Sequence, residues 1–148
     1  MKKFHFALSA VQHYKESLLE NLKQEYAAIL TEIANQEKRI AEREAEKDRL
    51  KEELNAKNSA GIAPFELGQY QRYIKVVQNI IEQEILKLKK LQKAENEKQD
   101  ELIEMKKETA SYEMLKERKL REYNFMANKA HEQFIEEFVS HRRHVAGR

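Results

Sequence analysis

Apolar residues recur along this chain at separations of three and four, the spacing of one helical face. From Leu22 one ladder runs Leu22, Ile29, Gln36, Arg43, Leu50 and a second runs Tyr26, Ile33, Ile40, Lys47, Leu54, and the two interleave as a heptad repeat. Further on, Ile74, Ile81, Leu88, Glu95, Leu102, Thr109 interleave with Val77, Glu84, Leu91, Lys98, Met105, Tyr112 in the same rhythm, with Ile85 beside the seam. Neither glycine nor proline occurs from Gln69 to Ala146, so that stretch reads as one long helix. Near the N-terminus Phe4, Leu8, Val11, Leu18 and Leu22 share a helical face, which predicts a first helix from about residue 3 to 58.

The strong punctuation is Asn58-Ser59-Ala60-Gly61-Ile62-Ala63-Pro64, where Asn, Ser and Gly end one helix and Pro64 suits the first turn of the next. A turn over 59–63 and a second helix over about 64–145 follow. So short a connection predicts antiparallel neighbours. The expected fold is all-α: one coiled-coil domain over 1–148, two long helices forming an antiparallel hairpin with the second longer than the first. With the turn centred near Gly61, residue i faces roughly 122 minus i. Leu22 and Tyr26 then meet the stretch from Glu95 to Leu102, and Ile33 meets Leu88 or Leu91. Seam positions Gln36, Arg43 and Lys47 are polar and are expected to weaken pairing, while local pairs such as Arg49 with Glu53 and Glu53 with Lys57 add about 0.2–0.5 kcal/mol each. At about 1.5 Å per residue the helices span roughly 80 and 120 Å, so the second overhangs the first from about Tyr123 onward.

Composition narrows what such a chain does. Only three glycines and one proline occur, and 36% of residues are charged, a profile of long helices rather than of the turn-rich frameworks that assemble catalytic pockets. The net charge of +2 gives little bulk attraction to nucleic acid or anionic lipid. No cysteine is present, which removes disulfides and thiolate chemistry and fits an intracellular setting. The opening Met1-Lys2-Lys3 is basic, but His13, Lys15 and Glu16 interrupt before a signal-peptide core forms, and no run is apolar enough to span a bilayer. There is no G-x-x-x-x-G-K-[ST], G-x-G-x-x-G or H-E-x-x-H motif. Glu137, His141 and His144 share a face but have no fourth ligand, so no metal site is expected. Catalytic, cofactor and metal residues are all expected to be absent.

Two apolar patches exceed what a seam needs. In the overhang, Phe125, Met126, Phe134, Phe138 and Val139 have no intrachain partner, which points to a partner-binding surface or else to a solvated tail with scattered aromatics. Near the tip, Tyr73, Val76 and Ile80 share a face beside the seam of Ile74, Val77 and Ile81; it is a docking face or the contact of a self-associated third helix.

The segment Lys3-Phe4-His5-Phe6-Ala7-Leu8, followed by Val11, Tyr14 and Lys15, resembles the basic-Phe-x-Phe-x-Leu opening of the FliJ proteins of the bacterial flagellar export apparatus. Tyr70-Gln71-x-Tyr73-Ile74 with Ile81-Glu82-Gln83, the length and the hairpin position are similar too, whereas Ala10 and Gln12 replace a proline and a leucine of that opening. The resemblance implies a non-enzymatic stalk, like that of rotary ATPases, inserted in the hexameric ring of the flagellar export ATPase and coupling it to the membrane export gate protein. It implies export chaperones as further partners, no nucleotide or other cofactor, no nucleic acid, a part in motility, and a cytoplasmic place at the cytoplasmic face of the membrane. By position, Tyr73, Val77, Ile80 and Glu84 fall on the family's export-gate contact, with Glu84 departing in type. Phe4, Phe6, Leu8, Val11 and Tyr14 match the opening motif, whose contact with the ring or with the second helix stays open. The alternative is a structural or chaperone-like coiled coil that binds client helices.

Overall fold

In a computed structural model describing residues 2–147, the chain forms two helices, α1 (Ser9–Ala60) and α2 (Pro64–Ala146), of 52 and 83 residues. They run antiparallel as a hairpin, the second longer than the first, and among the described residues there is no strand. The connection is Gly61, Ile62 and Ala63. Gly61 adopts φ of 92°, a left-handed conformation that ends α1 without Cβ strain, and its amide donates to the Asn58 carbonyl. Neither helix is long and apolar enough to cross a membrane.

The chain divides into two compact units, Asn21–Leu102 around the turn, and Met1–Glu20 with Ile103–Arg148. In the first, the heptad ladders meet: Ile33, Val77 and Ile81 are buried, and Leu22, Ile29, Ile40, Leu50, Leu54, Ile74, Leu88 and Leu91 are half-buried. Half-burial is the rule because each of two paired helices can hide only one stripe. Register follows the turn. Tyr26 bonds Glu95, Gln36 bonds Glu84, Lys47 bonds Gln78 and Glu25 pairs with Lys98, each within one helical turn of the expected facing rule.

Two polar residues behave differently from expectation. Gln36 is only 3% exposed, and its amide donates both to the Glu84 backbone carbonyl at 2.9 Å and to the Glu84 carboxylate. That bond, with Lys87 and Arg39 near, holds the Glu84 carboxyl below the usual glutamate range. A position expected to weaken the seam is therefore a satisfied polar layer, of the kind that selects one register over its neighbours. Lys57 departs too: it reaches across the turn to Glu66 at 2.6 Å, with its ammonium 5.0 Å from the Tyr70 ring centre, instead of pairing along α1 with Glu53. Those contacts, the Glu66 bond first, raise the Lys57 pKa.

In the second unit the expected helix start near Phe4 is corrected. Residues 3–6 are not helical; the Ser9 amide closes a turn on the Phe6 carbonyl, and the Gln12 amide bonds the Leu8 carbonyl at 2.9 Å. The reason is side-chain direction. Phe4 and Phe6 are two apart, so a helix would send them to different faces, whereas a non-helical segment lets both engage the hairpin. Phe6 is buried, and the Phe4 ring lies 5.7 Å from that of Tyr123 at 56°.

Candidate functional site

Three surfaces carry the residues singled out above. On the first, near the turn, Tyr73 and Val76 are exposed and Ile80 is half-buried. The Tyr73 hydroxyl donates to Glu46 Oε1 at 2.8 Å while its ring stays open to solvent. This bond and Arg43 at 2.9 Å hold the Glu46 carboxyl below its usual range, and the same bond raises the Tyr73 phenol pKa. Val77, in contrast, is 1% exposed and Glu84 is tied to Gln36, so both face α1. The four residues matched to the gate contact therefore do not form one outward surface: Tyr73 is exposed and Ile80 half-buried beside the seam, while Val77 and Glu84 lie in it. Phe65, 73% exposed, was not singled out in the sequence although it stands eight residues before Tyr73, on the same face. It lies ahead of Gly68, outside the glycine-free stretch from Gln69 that carries the helical pattern.

The second surface belongs to the terminal unit. The Tyr123 hydroxyl donates to the Lys2 carbonyl, Gln12 is buried and donates to Glu113 at 2.7 Å, and Lys15 pairs with Glu108 at 2.8 Å. That pair raises the Lys15 pKa, its hydrogen bond to Glu108 outweighing desolvation. Of the opening motif, Phe6 is buried and Phe4 half-buried, while Leu8, Val11 and Tyr14 are exposed. Between the non-helical opening and α2 runs a groove of about 570 Å³, lined by Phe4, Phe6, Leu8, Leu115 and Tyr123 together with Lys2, Lys3 and Lys119.

The third surface is the end of α2. Tyr123 is half-buried because the opening segment covers it; beyond it every described residue except the half-buried Ala127 is exposed. Phe125, Met126, Phe134 and Phe138 are exposed, as are Ile135, Val139 and Val145. Glu137, His141 and His144 line an open furrow with Glu136 and Ser140. No group of three potential metal ligands is placed to hold one ion among the described residues.

A closed seam flanked by open apolar faces defines a coiled-coil hairpin protein with apolar surfaces open to contact. The sequence model of one family, the flagellar FliJ protein, matches residues 4–148, essentially the whole chain. The chain belongs to that family and is a component of the flagellar export apparatus. No curated protein sequence and no solved structure matches it.

Proposed function

We propose that this protein is the central stalk of the flagellar export ATPase ring and couples that ring to the membrane export gate. The observation that carries the reading is the division of α2. Its seam is closed as far as Tyr123, and an apolar stretch with Phe125, Met126, Phe134 and Phe138 then runs on uncovered. A ring lumen is one environment that covers a helix from every side, which suits a stretch apolar on more than one face. Near the turn, Tyr73 and Ile80 supply direct gate contact, and Val77 and Glu84 hold the phase of α2 so that this face points outward. Export chaperones meet the same exposed surfaces, and the protein sits at the cytoplasmic face of the membrane through its partners.

Mixing the purified chain with the flagellar export ATPase tests the reading. Stimulated hydrolysis, more hexameric ring and co-elution are expected; the variant Phe134→Ala with Phe138→Ala loses all three, and Tyr73→Ala with Ile80→Ala loses gate binding while keeping stimulation. Unchanged hydrolysis together with separate elution contradicts the stalk. Capture of a client helix in place of the ATPase, lost in the Phe134 and Phe138 variant, is the outcome that the chaperone-like alternative requires.

A further inference from the structure

The groove at the opening segment and the end of α2 have complementary character. The groove is mostly apolar, lined by Phe4, Phe6, Leu8, Leu115 and Tyr123, and its charged lining is basic, Lys2, Lys3 and Lys119, with no carboxylate among the described residues that line it. From Glu132 to Val139 the helix carries Phe134 and Phe138 with Glu132, Glu136 and Glu137, and neither lysine nor arginine. Lys119 touches Glu122 at 3.5 Å, but both side chains are about half exposed, so the pair is readily exchanged for another carboxylate. Both features belong to the same compact unit and the same helix. Leu115, Lys119 and Tyr123 present the α2 side of the groove, and at spacings of three and four that face continues through Met126, Ala130 and Phe134. The uncovered face is thus continuous with one already used for intrachain packing against Phe4.

We propose that two copies of this chain pair through these features, each placing Phe134 and Phe138 in the other's groove. An antiparallel arrangement of the two α2 ends centred near Ala127 satisfies both sites at once, because a two-fold contact uses the same patch on each partner. Glu136 and Glu137 of each copy then meet Lys2, Lys3 and Lys119 of the other, and small Ala127 and Ala130 let the helices approach. The pairing covers the apolar end of α2 in the free protein. It rests on the groove and the charges alone, independently of the stalk reading; a ring that accepts this end competes with it.

Sedimentation across micromolar concentrations tests the proposal. The protein is expected to pass from monomer to dimer, and Phe134→Ala with Phe138→Ala to weaken the dimer by roughly tenfold to a hundredfold, the range for loss of central aromatic anchors. These positions are exposed, so circular dichroism stays unchanged. Two charge-reversed chains give a stricter test: Glu136→Lys with Glu137→Lys, and Lys2→Glu with Lys3→Glu and Lys119→Glu. Each alone sets like charges against like and is expected to stay monomeric, while an equal mixture restores both contacts and dimerises. A wild-type chain that stays monomeric throughout overturns the proposal. So does a dimer that survives the double alanine change, or a mixture no more associated than its components.

Discussion

The stretch of α2 from Ile74 to Leu102 and the stretch beyond Tyr123 have similar sequence texture, apolar residues at threes and fours among many charges, yet their side chains meet opposite fates. In the first, Val77, Ile81 and Leu102 are buried and polar seam residues find partners across the hairpin, as Gln36 does at Glu84 and Lys98 at Glu25. In the second, Phe125, Phe134 and Phe138 have more than half their surface open. Helical periodicity is a property of the local chain, whereas burial depends on whether a second strand of chain is there to receive the stripe. One helix therefore serves as scaffold along part of its length and as binding surface along the rest.

The largest expected effect that would sharpen this contrast comes from a charge in the closed seam. Val77→Asp buries a carboxylate with no partner and is expected to destabilise the hairpin by about 3 kcal/mol or more, measured by urea unfolding. A change below about 1 kcal/mol would mean that the seam is as open as the C-terminal stretch. Next is Gln36→Ala, which removes the bonds to Glu84 and is expected to cost about 1–2 kcal/mol. It also alters the acid response. The Glu84 carboxyl has a pKa lowered in the folded state, first by Gln36, so its contribution is present above the ordinary glutamate pKa and is lost as pH falls through the depressed value. Thermal midpoints followed downward through the carboxylate range should fall less steeply in Gln36→Ala than in the wild type; parallel curves would assign the depression to another group. The smallest effect on stability belongs to Phe134→Ala with Phe138→Ala, expected within about 0.5 kcal/mol of wild type at a concentration where the chain is monomeric, because nothing intrachain is removed. A loss of several times that amount would mean that these rings are packed within the chain.

Much of the seam was legible before the fold was known. One turn with Gly61 and Pro64 sets the register, and the ladder positions from Leu22 to Leu54 and from Ile74 to Tyr112 are buried or half-buried almost without exception; Arg43, which is exposed, is the clear departure. The opening segment was less legible. Phe4 and Leu8 fit a helical face as well as Phe4 and Phe6 fit an extended one, and so short an alternation carries too few residues to decide. Only the partner surface at Tyr123 decides it. The tip was legible in part: Tyr73, Val76 and Ile80 were separable from the seam by spacing. Val77 and Glu84 were legible as seam positions from the same ladder, and they lie there, whereas the family resemblance groups them with Tyr73 and Ile80 without regard to facing. The occupant of the C-terminal stretch is not encoded in any intrachain pattern at all, since its partners lie in other molecules.

Amide hydrogen exchange along the free, dilute protein measures most directly where pairing stops. Amides of the seam around Val77, Ile81 and Leu102 are expected to be protected roughly a hundredfold or more beyond those after Tyr123, because opening costs far more where side chains are packed across the hairpin. The boundary should fall near Tyr123, and adding the export ATPase should slow exchange beyond it. Protection in the C-terminal stretch equal to that of the seam, in the free monomer, would contradict the account.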